Sequence, residues 1–148
     1  MIERGSQLKI TKRFTFETAH ALSSYDGPCA QIHGHSYKLD ITVEGELSDR
    51  AGDPKQGMVI DFGDLKRVVQ RYVIEKYDHA LVLHEKERAV IPIGSPLFAN
   101  TWFVQWQPTC ENMVIDMVNR MIAQLPKNVR LACARLQETA TSWAEWSA

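Results

Sequence analysis

Tyr37-Lys38-Leu39-Asp40-Ile41-Thr42-Val43-Glu44 alternates apolar and polar side chains without a break, and Glu46-Leu47 continues the alternation. A period of two puts the apolar set on one face of a strand and the polar set on the other, as in a half-buried antiparallel sheet. One face therefore requires a covering layer. Upstream, Leu8 to His20 is also strand-like, with Phe14, Phe16, Thr18 and His20 sharing one parity. Between the two strands, Ser23 to Ala30 carries Tyr25-Asp26-Gly27-Pro28, a turn signal. Downstream, Ser48 to Gly57 is a polar connection. Asp61, with Asp64 three residues later, resembles a capped helix start, and Phe62, Leu65, Val68, Val69, Tyr72 and Val73 recur at helical spacing. A second helix is expected from near Thr109, with Glu111 in its dipole-favoured first turn, an apolar stripe from Val114 to Leu125 and Pro126 as its stop. Val129 to Glu138 and Thr141 to Trp146 read as closing strands, giving the order β-β-α-α-β-β. Leu81 to Gln107, between the helices, is too apolar for a plain loop; Ala89–Ile93 and Thr101–Gln107 are expected to pair as a hairpin.

The 148 residues are 45% hydrophobic and 24% charged, with a formal net charge of −1, which fits one domain over residues 1–148 with no domain-sized break. A domain of this length builds a core without a disulfide or a structural metal, so a metal held here is expected to serve chemistry. Scattered basic residues balanced by acidic ones argue against a nucleic-acid partner. Apolar runs such as Met58-Val59-Ile60 are far too short for a membrane span, and a cytoplasmic location is expected. Three cysteines without a C-x-x-C pair argue against a disulfide framework and a four-cysteine zinc site. Met1 to Gln7, polar apart from Ile2, reads as a frayed start.

The sharpest chemical signal is Cys29-Ala-Gln-Ile-His33-Gly34-His35. Two histidines at i and i+2 of a strand project to the same side and can share a cation, and Gly34 is expected to allow close backbone approach. His20, closing the preceding strand, is the candidate third imidazole. Three histidines leave a tetrahedral Zn²⁺ one open position, the mark of a catalytic site, whereas an isolated H-x-H pair can also be a chance surface feature. A thiol beside a divalent cation is acidified, so Cys29 reads as base or nucleophile, with a fourth ligand or an inert thiol as alternatives. Cys110 and Cys133 read as packing residues. Asp78-His79 closes the first helix as a candidate proton-transfer pair, with a helix-end dipole partner as the alternative. Glu138, ending an apolar strand, can accept two parallel hydrogen bonds from a heterocycle with adjacent N–H donors, and Glu111 is a weaker candidate of the same kind. His84 reads as solvated.

Together these residues resemble the 6-pyruvoyltetrahydropterin and 6-carboxytetrahydropterin synthase family. The matching stretches are Phe16-Glu17-Thr18-Ala19-His20, Cys29-x-x-x-His33-Gly34-His35, Ile60-Asp61-Phe62-x-x-Leu65-Lys66, Asp78-His79, Pro108-Thr109-x-Glu111-Asn112 and Glu138-Thr139, in family order over nearly the whole chain. The resemblance implies an α+β tunnelling fold: a four-stranded antiparallel sheet with two helices on one face, joined edge to edge into an oligomeric barrel, often a hexamer built as a dimer of trimers. It implies one Zn²⁺ per subunit on His20, His33 and His35, with Cys29 and the Asp78–His79 pair moving substrate protons. Glu138 would anchor a pterin ring, with Thr109 and Glu111 near that pocket. The implied substrate is 7,8-dihydroneopterin triphosphate. The three-residue gap between Cys29 and His33 looks like the bacterial enzymes of queuosine biosynthesis, which release acetaldehyde and triphosphate and leave a 6-carboxytetrahydropterin. The alternatives are a 6-pyruvoyltetrahydropterin synthase and a non-catalytic pterin-binding relative. The stretch of about residues 80–107 is longer than in short members and carries Trp102, Phe103 and Trp106, read as additional core rather than as a reshaped pocket rim.

Overall fold

A computed structural model describes Met1, Glu3 and residues 5–148; the frayed start expected at Met1–Gln7 falls partly outside these, at Ile2 and Arg4. Two long strands form the frame, β1 (Leu8–His20) and β2 (His33–Gly45), antiparallel in one continuous register from Leu8 opposite Gly45 to His20 opposite His33. The remaining strands are β3 (Ala80–His84), β4 (Thr101–Val104), β5 (Val129–Thr139) and β6 (Ser142–Ser147), and the sheet order is β4-β3-β1-β2-β5-β6. β5 and β6 extend the antiparallel ladder beside β2, whereas β3 and β4 add in parallel beside β1.

The helices cover one face, as the parity of the strands requires. Asp61 caps α1 (Phe62–Val69) by accepting from the Gly63 amide at 2.7 Å. The chain continues through a π turn (Gln70–Ile74) into α2 (Glu75–Tyr77). Thr109 caps α3 (Cys110–Met121), its Oγ1 accepting from the Asn112 amide at 3.2 Å. Phe14 and Phe16 of β1 and Tyr37, Leu39, Ile41 and Val43 of β2 meet Leu65, Val69, Val73 and Tyr77 from the first helical segment and Met113, Met117 and Met121 from α3 in one core. The other face is polar: Arg13 makes a two-pronged bond to Asp40 at 2.7 and 2.9 Å, and Arg135 stands opposite Asp40 in the register. Among the described residues, no helix is long and apolar enough to cross a membrane.

The α+β reading holds, but among the described residues the order is β-β-α-β-β-α-β-β rather than β-β-α-α-β-β, and the sheet is mixed with six strands rather than antiparallel with four, because residues 80–107 supply two parallel strands between the helices. Ala80, Val82 and Leu83 are buried. Adjacent Val82 and Leu83 point to opposite faces, so β3 is covered on both, as parallel strands are. The expected hairpin does not form. Glu85–Val90 is a 3-10 turn, Pro92 has no N–H to donate, and Thr101–Val104 pairs in parallel with β3 instead. Trp102 fills core, edge-on to Tyr77 with centroids 5.2 Å apart and to Trp106 at 5.9 Å, with Lys76 Nζ at 4.2 Å and Arg120 Cζ at 4.7 Å from its ring.

Gly45, where β2 ends, tests the close packing of this frame. A Cβ there would meet the Asn128 carbonyl oxygen at 2.8 Å and methyls of Val59 and Val129 at 3.1 and 3.2 Å. Gly45→Ala is expected to cost about 1–3 kcal/mol of stability through overpacking, read from urea unfolding.

Candidate metal centre and active-site cavity

The site grows from the end of the β1–β2 ladder. His20 and His33 are register partners, Thr18 lies opposite His35, and the pleat turns all three imidazoles toward the helix-covered face. Each ring offers one nitrogen, and these atoms lie within 4.8 Å of one another. The outer nitrogens of two rings are held by main chain: His20 Nδ1 is 2.7 Å from the Pro108 carbonyl oxygen and His33 Nδ1 is 2.7 Å from that of Gln31. Both carbonyls only accept, so each Nδ1 carries the proton and each Nε2 presents its lone pair inward. His20 Nε2 and His33 Nε2 stand 3.0 Å apart, and His35 Nε2 is buried with no hydrogen-bond partner among the described residues. Two inward lone pairs and a third, unpartnered ring nitrogen beside them fit a cation. Burial, the main influence on His20, holds its pKa below the ordinary imidazole value and keeps the ring neutral as a ligand must be; the Pro108 bond opposes it. Gly34 is not sterically required: a Cβ there would make an ordinary 3.4 Å contact with the Thr18 carbonyl oxygen.

Beside the imidazoles lies a cavity of about 290 Å³ that brings together His20, Cys29, Thr109, Glu111 and Glu138. Cys29 sits on a 3-10 turn (Pro28–Ala30) and its carbonyl accepts from the Leu22 amide at 2.8 Å. Glu138 lies in the irregular β5–β6 pairing between Gln137 and Thr139, with Oε1 3.7 Å from His35 Nε2. The Tyr37 hydroxyl, fully buried, donates to Glu138 Oε2 at 3.4 Å. Burial and the neighbouring Glu138 charge raise the Tyr37 pKa, so it remains a donor. Thr109 is engaged as the α3 cap and Glu111 is exposed in the first turn. Tyr37 escaped the sequence reading of the site, although it shares the parity of His33 and His35. Nothing in the sequence pointed to the carbonyls of Pro108 and Gln31, or to Tyr25, Cys110 and Trp143 on the cavity wall.

The Asp78–His79 pair does not join that cavity within one chain. His79 Nδ1 is 3.0 Å from Asp78 Oδ1, but its side chain is 78% exposed and lines a separate pocket of about 540 Å³. That pocket takes in Glu17, Ala19, Gly34 and Ser36, of the helix-free parity, and also touches Thr18 and His35 of the other parity. The turn is firmly built: the Glu17 amide donates to Asp78 Oδ1 at 3.0 Å, the His79 amide to the Glu17 carbonyl at 2.6 Å, and Asn100 Nδ2 to the His79 carbonyl at 2.9 Å. These bonds hold His79 at φ +59, a backbone region uncommon outside glycine. His84 caps the 3-10 turn that follows it, accepting from the Lys86 amide at 3.0 Å.

The family model described as 6-pyruvoyl tetrahydropterin synthase matches residues 9–148. The chain belongs to this family. Family relatives include a protein of Haemophilus influenzae named 6-carboxy-5,6,7,8-tetrahydropterin synthase, 34% identical over 141 residues and covering 93% of this chain and 97% of the relative. A Pongo abelii relative named 6-pyruvoyl tetrahydrobiopterin synthase is 32% identical, covering 92% and 88%. Caenorhabditis elegans 6-pyruvoyl tetrahydropterin synthase shares the fold with a TM-score of 0.69 at 22% identity, over 99% of each chain. An uncharacterized Wolinella succinogenes protein does so with a TM-score of 0.76 at 19% identity, over 96% of this chain and 98% of that one. The tunnelling fold expected from the motifs is thus the fold of this family member.

Two measurements check the site. Chelation is expected to leave the far-UV circular dichroism spectrum of the chain unchanged, because the core is assembled from apolar contacts between sheet and helices that need no ion, and His35→Ala is expected to weaken zinc binding by at least about 100-fold in calorimetric titration. Burial first, and then the Glu138 charge, push the Cys110 thiol up to about 12. It stays protonated at neutral pH, and Cys110 alkylation in the folded chain, followed by peptide mass mapping, should rise about tenfold per pH unit from 7 to 10 without a plateau.

Proposed function

We propose that the chain is a single tunnelling-fold synthase domain, residues 1–148, acting as a zinc-dependent carbon–carbon lyase. In this reading it converts 7,8-dihydroneopterin triphosphate to 6-carboxy-5,6,7,8-tetrahydropterin, with release of acetaldehyde and triphosphate, in cytoplasmic queuosine biosynthesis. The observation that carries it is the convergence of three inward Nε2 atoms next to a cavity shared by a cysteine and a carboxylate. Relatives carrying the 6-carboxytetrahydropterin synthase name at 29–34% identity over 93% of the chain point to the same activity.

His20, His33 and His35 would hold one Zn²⁺ per subunit, whose Lewis acidity polarises a substrate side-chain oxygen. The chain's own groups perform the rest. Glu138 accepts two parallel N–H bonds from the pterin edge, and the Tyr37 O–H fixes the carboxylate that receives them. Cys29, on the cavity wall, takes and returns a proton as the side chain rearranges. His79, oriented by Asp78, completes the proton transfer. Because that pair lies on the other sheet face from the Cys29 cavity, it serves the cavity of a neighbouring copy, and the working unit is an oligomer, a hexamer built as a dimer of trimers by family resemblance. The 6-pyruvoyltetrahydropterin synthase reaction would use the same residues and retain the three-carbon side chain; the Pongo abelii relative named for such an activity keeps it a live comparison.

Incubating the zinc-loaded protein with 7,8-dihydroneopterin triphosphate and weighing the pterin product decides between them. Acetaldehyde and a 6-carboxy product are expected; a three-carbon side chain on the product would overturn the lyase reading. Cys29→Ala is expected to lower turnover by about 10²–10⁴-fold with zinc content and far-UV spectrum unchanged.

A further inference from the structure

The segment preceding α3 reaches the Cys29-bearing loop through one side chain. Gln107 Nε2 donates to the Ser23 carbonyl at 2.7 Å, and its Oε1 accepts from the Ser23 amide at 2.9 Å. The carboxamide thereby satisfies both main-chain groups of one loop residue, as a neighbouring strand would. Ser23 also donates its hydroxyl to Glu87, on the 3-10 turn after β3. The gripped residue lies between two informative neighbours. Leu22 donates its amide to the Cys29 carbonyl, closing the loop on itself, and Ser24 is held at φ +59, a conformation a serine leaves unless its surroundings fix it.

Gln107 is itself anchored. Its carbonyl accepts from the Thr109 amide at 2.8 Å and from Asn112 Nδ2 at 3.0 Å, which ties it to the start of α3. The next carbonyl along the chain, that of Pro108, is the one that receives the His20 Nδ1 proton. One dipeptide therefore contacts both halves of the site: the side chain of Gln107 holds the cysteine loop and the main chain of Pro108 aims a metal-ligating imidazole.

We propose that Gln107 is a positioning residue, which acts through Ser23 to hold the loop bearing Cys29 in register with the His20–His33–His35 centre. This rests on the catalytic reading above only for its effect on turnover; the hold on the loop is independent of it. The longer 80–107 stretch, which also supplies Glu87, thus reaches the cavity by bracing the loop.

The test compares Gln107→Ala and Gln107→Glu with the unaltered chain, each full length and zinc-loaded. Glutamate keeps the acceptor for the Ser23 amide and sets a carboxylate oxygen against the Ser23 carbonyl, so it breaks the grip without losing bulk. Both variants are expected to keep their zinc stoichiometry, to exchange the amides of residues 22–30 at least about tenfold faster, and to alkylate at Cys29 several-fold faster by peptide mapping. Turnover number is expected to fall by about tenfold or more with KM within about threefold, since misplacement of a reacting group acts on the chemical step. Unchanged exchange and alkylation in both variants would overturn the proposal. If Gln107→Ala does not fold, Gln107→Glu decides alone. If exchange and alkylation respond while the unaltered chain performs neither pterin reaction, the loop hold stands and the functional reading falls.

Discussion

The registry between β1 and β2 is the constraint on which the site depends. The ladder runs unbroken for the length of both strands and ends at His20 opposite His33, so the imidazole trio is positioned by main-chain pairing far below it. A slip of one residue would carry every side chain of a strand to its other face. It would expose Tyr37, Leu39, Ile41 and Val43 together and scatter the imidazoles. The apolar burial that stabilises the fold is thus the same force that brings the three imidazoles together.

Around this frame, different physical means locate the remaining groups. An irregular strand pairing delivers Glu138 beside His35, and a buried phenol holds the carboxylate. Main-chain carbonyls set the tautomers of two imidazoles. The Asp78–His79 turn is built from bonds to β1, on the sheet face away from the Cys29 cavity. The helix-covered face of the sheet carries the imidazole trio, and the Asp78–His79 turn stands apart from the Cys29 cavity.

Much of this was legible in the chain. Alternation disclosed β1 and β2, helical spacing disclosed α1 with its cap at Asp61 and α3 with its start near Thr109, and parity placed His33 and His35 on one side. The β3–β4 addition was not legible because a short strand covered on both faces has no alternation, and Ala80 to Leu83 reads only as an apolar run. Nor could the sequence indicate which carbonyl meets His20, since Pro108 is 88 positions away and a main-chain acceptor has no residue signature. Gln107 is silent for a related reason: its partner is the main chain of Ser23, available at any residue type. Tyr37 was legible in principle, two positions beyond His35 on the same face.

The parallel addition of β3 and β4 alters what the molecule offers at its boundary. With β4 outermost, the rim beside β1 is a strand of only four residues, while the opposite rim, β6, has six. A short rim exposes few unpaired amides and carbonyls, so it supports only a weak main-chain seam. Any joining of subunits along that side would have to draw its strength from side chains, so the stretch that braces the cysteine loop from within also leaves the molecule a rim poor in main-chain hydrogen-bonding groups.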